Sequence, residues 1–394
     1  MFTYKTFNNI AEDGLAVMAA KNIKDVSENP DALMLRSHKL VAAEFGNNLS
    51  AIARAGVGVN NIPLEDATDL GVVVFNTPGA NANAVKELVI CGMLLSSRGI
   101  VDGINFAKNL DSNDADALNK MFEAQKKTFA GNELAGKTIG IVGLGAIGSM
   151  LAQASQALGM KLVGFDPHIS IDSAWRLPRE VEKAETLEDL LKQSDYVSLH
   201  IPLVEATKNL INADNLKYFK SDARLINLSR GGIVNSNDVI EALENNNLSK
   251  FVTDFPTPEL IERSAKHSDV ILLPHMGAST KEAEVNCAVM AANQIANFLQ
   301  RGVIINSVNF PNVSLERSTP HRLVIITKNE PGMISKITDS IASLNLNIAE
   351  MSNKSRDEIA INLIDLEHEA SDELISQLKS IDHVLKVRSI NTAS

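Results

Sequence analysis

Aromatic residues, cysteines and long apolar runs are scarce in this chain of 394 residues. Phe, Trp and Tyr together make up 4% of it, and it has two cysteines. Cys91 and Cys287 are too few for a disulfide framework and too far apart in sequence for a metal-binding motif. No uncharged apolar run is long enough to cross a membrane, and the first residues lack the pattern of a signal peptide. We therefore expect a cytoplasmic protein without a bound metal and without a membrane partner.

Positive charge is also in short supply. The chain has 37 Lys and Arg against 48 Asp and Glu, which gives a net charge of -11 at pH 7. This balance disfavours binding to nucleic acids or anionic membranes, because both need a positive surface. Hydrophobic residues at 45% and charged residues at 22% are typical of a globular protein, and the length is enough for two or three domains. An anionic small molecule would have to be held by local arginines.

A glycine-rich turn between a strand and a helix is the strongest motif in the chain. Segment 138–166 has the order strand, Gly-Leu-Gly-Ala-Ile-Gly, helix, strand and acid, which is typical of a dinucleotide site. Gly143 permits the tight turn, Gly145 lets the backbone approach a pyrophosphate, and Gly148 allows helix and strand to pack closely. Asp166 is placed to accept hydrogen bonds from a ribose diol and to repel a 2′-phosphate. The motif predicts NAD in preference to NADP, and a βαβ unit without a cofactor is the alternative.

Strand-like segments continue beyond this motif, with spacers of helical length between them. They are 196–200, 224–228, 250–254 and 270–273. With the two strands of the motif they predict a six-stranded, doubly wound parallel sheet, in which ligands bind outside the carboxyl ends of the strands. Arg230, Glu259 and His275 each follow one of those ends.

This trio suits the oxidation of a 2-hydroxy acid. Arginine pairs with a carboxylate, histidine takes the hydroxyl proton, and glutamate stabilises the resulting imidazolium, while the hydride goes to a nicotinamide. Taken singly, each residue also has an ordinary structural interpretation. Their shared position beside a dinucleotide motif favours the catalytic one.

The first 90 residues predict a second α/β lobe, with short strands at 32–35, 49–54 and 71–75. Arg36 and Arg54 stand at strand ends, and the glycine-rich turn that contains Val57 and Gly58 would expose backbone N–H groups to an anion. These residues are candidate anion contacts, with solvated surface as the alternative for each arginine. A mostly apolar helix at 84–103 is predicted to bridge the two lobes.

Several motifs resemble the D-isomer-specific 2-hydroxyacid dehydrogenases: GLGAIG with the downstream Asp166, LHIPL, NLSRGG and PHMGAST. The resemblance covers roughly residues 30 to 305. It implies a Rossmann NAD domain at 91–279 and a flavodoxin-like substrate domain made of 1–90 and 280–305. By the resemblance Arg230 orients the substrate, His275 is the acid/base and Glu259 is its carboxylate partner.

The resemblance also implies which residues contact NAD and the substrate. Those for NAD are Gly143, Gly145, Ala146, Ile147, Gly148, Asp166, His200, Pro202, Leu228, Ser229, Arg230, Asp254, His275, Gly277 and Ala278. Those for the substrate are Arg36, Arg54, Val57, Gly58, Asn81 and Arg230. Asp254 would contact the nicotinamide amide.

One departure from the family pattern concerns the partner of His275. The family usually has Glu-Pro after the fifth strand, whereas this chain has Pro258-Glu259. Counting without gaps from Asp254 places Glu259 at the expected position and keeps the family's spacing from Arg230. Aligning on Phe-Pro-Thr instead places Pro258 there and leaves His275 without a carboxylate. We favour Glu259, and the second alignment stays open.

The C-terminal part of the chain predicts a small domain of its own. Residues 306–320 are rich in Asn, Ser and Pro, as expected of a linker. Residues 321–394 then give the βαββαβ order of a ferredoxin-like sandwich. This tail resembles an ACT domain in its segments NEPG at 329–332 and NLNI at 345–348. The resemblance implies a regulatory module of the kind that often binds amino acids at a paired interface.

In family members that oxidise 3-phospho-D-glycerate, such a module senses L-serine. Asn329 and Asn347 match two serine-contacting positions, whereas Thr327 replaces the family's histidine, so a module that only dimerises is the alternative. Unpaired edge strands offer a route to a homodimer or homotetramer. Because every predicted chemical residue precedes the linker, we expect truncation near Ser318 to spare activity.

Core and tail together imply an enzyme that oxidises 3-phospho-D-glycerate to 3-phosphohydroxypyruvate with NAD, at the start of L-serine biosynthesis. Arg36 and Arg54 supply the positive charge that binding of a phosphate needs. The nearest alternative is another D-2-hydroxy acid, such as 2-hydroxyglutarate or lactate. An NAD-sensing binding protein without catalysis is a third hypothesis, against which the complete set of Arg230, Glu259 and His275 argues.

Overall fold

Parallel β-sheets with helices on their faces make up most of the structure, a computed structural model that describes residues 1–392. These residues fall into two units. One comprises Met1–Asn81 and the chain from Lys281 onward, and the other comprises Ala82–Thr280.

The amino-terminal part of the first unit alternates short strands with helices. Its elements are β1 (Thr3–Phe7), α1 (Glu12–Ala20), β2 (Lys24–Asp25), β3 (Ala32–Leu35), β4 (Ala51–Arg54), α2 (Leu64–Asp69) and β5 (Val73–Phe75). The strands form one parallel sheet in the order β2-β1-β3-β4-β5. β3 and β5 are buried throughout, which explains their unbroken apolar sequences. The sequence did not reveal β1 and β2, because most of β1 is only half-buried and β2 is two exposed residues.

The second unit contains a larger sheet. Its elements are α3 (Ala82–Ser97), α4 (Ile100–Lys108), α5 (Ala115–Gln125), β6 (Thr138–Val142), α6 (Ala146–Ala157), β7 (Lys161–Phe165), α7 (Ile171–Ala174), β8 (Val181–Lys183), α8 (Leu187–Gln193), β9 (Tyr196–Leu199), α9 (Ala213–Leu216), β10 (Arg224–Asn227), α10 (Ser236–Glu244), β11 (Lys250–Thr253), α11 (Pro258–Lys266) and β12 (Val270–Leu272). The order β12-β11-β10-β9-β6-β7-β8 confirms the predicted doubly wound parallel sheet. It has seven strands in the described chain instead of six, because the edge strand β8 is short and largely exposed. The helix predicted at 84–103 is two helices, α3 and α4.

The chain order within this sheet reverses between β6 and β9. Such a reversal leaves a crevice outside the carboxyl ends of the strands. The turn after β6 and the loops after β9, β10, β11 and β12 lie at that edge, because all these strands are parallel. The residues with predicted chemical roles fall in these loops.

After α12 (Lys281–Arg301) the chain forms a third sheet, which belongs to the first unit. Its elements are β13 (His321–Lys328), α13 (Met333–Ser343), β14 (Ile348–Arg356), β15 (Ile359–Leu366), α14 (Asp372–Ser380) and β16 (Val384–Asn391). The strands are antiparallel in the order β14-β15-β13-β16. The predicted βαββαβ order is confirmed.

Both faces of the third sheet are covered. On one face Leu323 and Ile325 of β13 belong to a buried cluster with residues of α13 and α14. On the other face Val324 and Ile326 belong to a cluster that includes Phe298 of α12. Alternate residues of one strand therefore point into two different cores.

Three arginines fasten the C-terminal segment to the last turn of α12. Their guanidinium groups donate to its carbonyl oxygens in the pairs Arg388 with Leu299 (2.9 Å), Arg317 with Gln300 (3.5 Å) and Arg322 with Arg301 (2.9 Å). The last carbonyls of a helix have no partner within it, and positive charge complements that end of the helix dipole. Arg322 also pairs with the buried Asp365, with 2.6 Å between Nε and Oδ1.

The segment predicted as a linker, 306–320, is tied to strand β5. The side chain of Asn309 accepts the N–H of Val74 and donates to the carbonyl of Val72, and the Ser307 hydroxyl donates to the carbonyl of Val74. Its asparagine and serine thus satisfy the polar backbone of an edge strand. The division of this unit into a substrate domain, a linker and an ACT domain stays a prediction.

Candidate active site

The glycine turn after β6 has space for an anion in front of α6. Gly143 has φ +91°, and a Cβ there would lie 2.5 Å from the carbonyl oxygen of His200; a Cβ on Gly148 would lie 2.0 Å from the carbonyl oxygen of Gly143. Neither position admits a side chain. Gly145 is the N-cap of α6 without a side-chain cap, and nothing lies within 4 Å of a Cβ built on it. The free N–H groups of this helix end therefore face open space, as a pyrophosphate requires.

Asp166 is held against the glycine turn. Its Oδ2 accepts the N–H of Leu144 at 2.8 Å, and its Oδ1 accepts the N–H of His168 at 3.0 Å. A carboxylate has about four acceptor positions, so both oxygens can still accept hydroxyl groups. This fits the predicted contact with a ribose diol.

Asp254 combines deep burial with an unused oxygen. It is 1% exposed, and its Oδ2 accepts the N–H of Gly277 at 3.0 Å. Its Oδ1 is buried and has no hydrogen-bond partner among the described residues. An unpaired buried acceptor costs stability unless a ligand supplies a donor. The NH₂ of a nicotinamide carboxamide is a donor of the required kind.

His275 lies in the loop after β12, in a strained backbone conformation. Its φ is +25°, which is uncommon for a residue other than glycine and occurs preferentially at functional sites. Its N–H donates to the carbonyl of Asp254 at 3.1 Å. Its exposed ring contacts the Phe255 ring edge-on, with 5.0 Å between centroids.

Arg230 lies in an exposed loop that a buried asparagine holds in place. Asn227 is 1% exposed; its Nδ2 donates to the carbonyl of Arg230 at 2.9 Å, and its Oδ1 accepts the N–H and the hydroxyl of Ser229. The guanidinium of Arg230 donates to the carbonyl of Ser229 at 2.6 Å. The sequence analysis assigns no role to Asn227, although a polar residue at the end of an apolar strand is a signal for a structural or functional role.

The predicted pairing of Glu259 with His275 is absent from this structure. Glu259 is exposed, and the pKa of its carboxyl is lowered by hydrogen bonds from its own N–H and from Thr257. It is the second residue of α11, so its carboxylate is drawn to the free N–H groups of the first turn. Phe255 contacts the imidazole instead.

His200 is a half-buried histidine that is neutral at pH 7. Its Nε2 lies 2.8 Å from the hydroxyl of Ser198, and burial lowers the pKa of the ring to about 4. Its Nδ1 is buried without a partner among the described residues. The other predicted NAD contacts lie at the same edge of the sheet: Ala146 and Ile147 in the first turn of α6, Pro202 after β9, Leu228 after β10 and Ala278 after β12.

Arg36 and Arg54, the predicted phosphate contacts, already have partners in their own unit. Arg36 forms an ion pair with Glu284, with 2.7 Å between Nη2 and Oε1, and both side chains are about half exposed. Arg54 donates from Nε to the carbonyl of Arg36 at 2.9 Å and from Nη1 to the carbonyl of Gly58. Arg54 therefore shapes the glycine-rich turn, and an anion near Arg36 would compete with Glu284.

The turn at Val57 and Gly58 is fixed from a second side. The side chain of Asn76 donates to the carbonyl of Val57 at 2.7 Å. A Cβ on Gly58 would lie 3.1 Å from Nη1 of Arg54, so a side chain there would push the guanidinium away. Asn81 is half-buried in the turn before α3.

Asn329 and Asn347, the predicted regulatory residues, lie at opposite ends of the third sheet. Asn329 follows β13 and donates to the carbonyl of Asp357 at 3.1 Å, whereas Asn347 precedes β14 and donates to the carboxylate of Glu367 at 2.8 Å. β13 and β14 run in the same direction, because each is antiparallel to β15. Eight residues of strand separate the two ends, or about 25 Å. One chain does not bring the two asparagines together.

Within residues 1–392, no group of three or more His, Cys, Asp or Glu side chains is placed to hold a metal ion. None of the helices in that range is both long enough and apolar enough to span a bilayer.

Comparison with known proteins places these residues in a family context. The sequence model of the family "D-isomer specific 2-hydroxyacid dehydrogenase, NAD binding domain" matches residues 102–277. The D-3-phosphoglycerate dehydrogenase of Haemophilus influenzae is 32% identical over 378 residues, which are 93% of this chain and 88% of that protein. The protein of the same name from Synechocystis is 37% identical over 312 residues, 77% of this chain and 54% of the relative. The chain thus spans about half the length of that relative and of several others.

A solved structure with the same fold is the NAD⁺-bound 3-phosphoglycerate dehydrogenase of Entamoeba histolytica. It aligns with a TM-score of 0.60 at 24% identity and covers 78% of this chain and 98% of its own. Likeness at this identity shows the fold alone.

Proposed function

The chain belongs to the D-isomer-specific 2-hydroxyacid dehydrogenase family, and we propose that it oxidises 3-phospho-D-glycerate to 3-phosphohydroxypyruvate with NAD, the first step of L-serine biosynthesis. The names of its relatives support this substrate. The observation that carries the use of NAD is Asp254, a buried carboxylate with one oxygen bound to Gly277 and the other unpaired.

The residues at the carboxyl edge of the larger sheet fit a dinucleotide. The open N-terminus of α6 at Gly145 would hold the pyrophosphate, Asp166 would accept hydrogen bonds from the hydroxyls of the adenine ribose, and Asp254 would accept one from the nicotinamide carboxamide. Bound NAD supplies the hydride acceptor. Asp254, bonded to the N–H of Gly277, would hold the carboxamide end of the cofactor in place.

His275 and Arg230 act on the substrate itself. The guanidinium of Arg230 pairs with the substrate carboxylate and sets its orientation. The exposed imidazole of His275 takes the proton of the 2-hydroxyl, which lets the carbonyl form. The strained backbone of His275 is held by its hydrogen bond to the carbonyl of Asp254, so the base and the nicotinamide contact are positioned by the same residue.

In the first unit, we assign the phosphate to the glycine-rich turn. Arg54 and the backbone N–H groups of Val57 and Gly58 supply the donors, and Asn76 holds the turn. Arg36 joins them when the anion displaces Glu284. A dianionic phosphate competes for the arginine better than one exposed carboxylate does.

The test of this function is a screen of NADH formation with 3-phospho-D-glycerate, D-2-hydroxyglutarate and D-lactate. We expect the phosphorylated acid to have the highest kcat/KM. Arg54→Ala should raise the KM for it by about tenfold or more, through loss of a charge-assisted hydrogen bond, and should change little for D-lactate. Equal losses on both substrates would mean that Arg54 only shapes the turn, and a higher kcat/KM for D-lactate would overturn the substrate.

His275→Ala separates an enzyme from an NAD-sensing protein. Loss of a general base typically costs about 10²–10⁴-fold in rate, whereas NAD affinity, measured by calorimetry, should stay near that of the wild type. Lys354→Ala, on the exposed strand β14, is the control and should change neither kcat nor NAD affinity. A His275→Ala variant that keeps most of its kcat would remove the histidine from the mechanism.

The tail and the oligomer belong to this proposal as well. L-serine that contacts both Asn329 and Asn347 must lie between two chains, because the two residues are at opposite ends of the sheet. A second copy of the chain has an apolar surface to cover on α4 and α5, where Ile104, Met121 and Phe122 are 44–48% exposed. Light scattering with and without L-serine tests for a homodimer or homotetramer and for a serine effect. A cytoplasmic location completes the proposal.

A further inference from the structure

A phenylalanine touches both loops that carry the proposed chemistry. Phe255 follows Asp254 in the loop after β11 and is half-buried. Its ring lies tilted against the imidazole of His275, with 5.0 Å between the ring centroids and 62° between the ring planes. It also packs against Gly231 in the loop after β10. All these residues belong to the unit Ala82–Thr280, so one body carries the whole arrangement.

The contact with Gly231 leaves no room for a side chain on the glycine. A Cβ built on Gly231 would lie 3.0 Å from Cβ of Phe255 and 3.4 Å from its Cγ, whereas carbon atoms pack best at about 3.5–4.0 Å. These two atoms of Phe255 lie close to its backbone and cannot swing away. Gly231 opens a short 3₁₀ turn that ends at Ile233, and its backbone is in a conformation that any residue adopts. The space that Phe255 occupies therefore accounts for the glycine.

Backbone hydrogen bonds hold both rings at their bases. The N–H of Phe255 donates to Oγ1 of Thr253 at 3.2 Å, and Thr253 is 1% exposed. The N–H of His275 donates at 3.1 Å to the carbonyl of Asp254, the residue before Phe255. The two rings start from backbone segments that are bonded to each other, so the direction of the imidazole is what the ring contact sets. A tilted aromatic pair at this distance favours one ring direction by about two- to tenfold.

The imidazole needs such a contact because the structure gives it no carboxylate. Glu259 is exposed, and its carboxyl is bonded to its own N–H and to Thr257. A general base works only when its nitrogen lies within hydrogen-bond reach of the proton that it takes. An exposed histidine ring without an orienting partner turns about its side-chain bonds and spends part of its time out of reach. Phe255 is the side chain that is placed to prevent this.

We propose that Phe255 is a positioning residue for the proton transfer. Braced by the backbone of Gly231, its ring holds the imidazole of His275 toward the 2-hydroxyl of the substrate. The proposal rests on the proposed function, in which His275 is the base. Phe255 thus provides the orientation that the sequence predicted from Glu259. Because its ring carries no charge, it orients the base without supplying a counter-charge for the imidazolium.

Turnover of 3-phospho-D-glycerate by two variants tests this role. Phe255→Leu keeps an apolar side chain but removes the ring, and it should lower kcat by about tenfold, the upper value for one aromatic pair. Its KM and its NAD affinity, measured by calorimetry, should stay near those of the wild type. Phe255→Tyr keeps the ring and should restore most of kcat. Ile261→Ala, at a position of α11 that is 53% exposed, is the control and should change none of these quantities.

Gly231→Ala tests the bracing from the other side of the contact. The added Cβ displaces the ring of Phe255 without removing it, so kcat should fall as in Phe255→Leu. The double variant should lose little more than Phe255→Leu alone, because the effects of two residues that act through one contact do not add. Effects on kcat that multiply would show that Gly231 acts independently of the ring, and would overturn the bracing.

NMR of the His275 ring gives a measurement that does not depend on turnover. Its carbon-bound protons lie in the ring current of Phe255, so their resonances, assigned with His275→Ala, should move in Phe255→Leu and stay in place in Phe255→Tyr. Unmoved resonances, or a Phe255→Leu variant with wild-type kcat, would overturn the proposal. A fall in kcat together with weaker NAD binding would make Phe255 a packing residue of its loop. A wild-type protein that shows the ring-current shift but oxidises no 2-hydroxy acid would refute the proposed function, whereas the ring contact would stand.

Discussion

Truncation at Ser318 should destabilise the first unit instead of sparing activity, contrary to what the sequence alone led us to expect. Six aliphatic side chains of the third sheet share a buried cluster with α12 and the amino-terminal sheet. They are Val324, Ile326, Ile359, Ile361, Leu363 and Ile390. Removing them exposes the apolar side chains that they cover, including Phe298, and leaves the last carbonyls of α12 without their arginine partners.

The free energy of apolar burial that truncation removes is as large as the stability of a domain. Full burial of one aliphatic side chain contributes about 1.5–3 kcal/mol, so six contribute roughly 9–18 kcal/mol. This is an upper value, because an unfolded chain already buries some of its apolar surface. A typical domain is stable by only about 5–15 kcal/mol. The truncated protein should therefore unfold or aggregate, and turnover should be lost with the fold.

The assay compares full-length and truncated protein by thermal unfolding, light scattering and turnover. A milder variant tests the same packing if the truncated protein does not fold. Ile361→Ala, at a position that is 0% exposed, should lower the free energy of unfolding by about 2–5 kcal/mol. Lys354→Ala on the exposed strand β14 is the control and should change it by less than about 0.5 kcal/mol. A truncated protein that is monodisperse, melts like the full-length chain and keeps its kcat would refute the reasoning.

Three further predictions concern single side chains. Burial lowers the pKa of Lys386 from 10.5 to about 8, so between these pH values the unfolded chain holds a proton that the folded chain lacks. The free energy of unfolding should therefore rise with pH across this window by up to about 3 kcal/mol. Urea unfolding of Lys386→Met should show no such rise. Glu259→Gln should leave kcat and its pH profile unchanged, because the carboxylate does not contact His275; a displaced pH profile would restore Glu259 as the partner of the base. Asp166→Ala should weaken NAD more than NADP in kcat/KM, and an unchanged cofactor ratio would remove Asp166 from the ribose contact.

Local rules explain why the dinucleotide turn could be predicted. Gly143 needs a positive φ and Gly148 cannot carry a side chain, and both constraints arise within one strand, turn and helix. The two short strands β2 and β8 could not be predicted, because neither carries the apolar pattern of a buried strand. They are defined only by their neighbours in the sheets.

The contact of His275 was beyond sequence reasoning for a different reason. Glu259 and Phe255 lie four residues apart, and spacing alone permits either to reach the histidine. The position of α11 decides between them. This helix begins at Pro258 with Thr257 as its N-cap, so Glu259 lies in its first turn. The N-cap pattern Thr-Pro-Glu was present in the sequence as a helix start. The predicted pairing followed the family spacing, whereas the local helix signal accounts better for the position of this side chain.

The sequence indicated that both faces of the third sheet are covered, because its central strands lack the alternation of apolar and polar residues. A strand with one face in water alternates apolar and polar residues, whereas β13 and β15 are apolar on both faces over most of their length. These are the two central strands, and the edge strand β14 is largely exposed. A sheet of this kind needs a second layer against its middle, and α12 provides it. Thr327 and Ile326, adjacent residues of one strand, therefore lie on opposite faces: Thr327 lines a cavity beside α13, and Ile326 belongs to the cluster that contains α12.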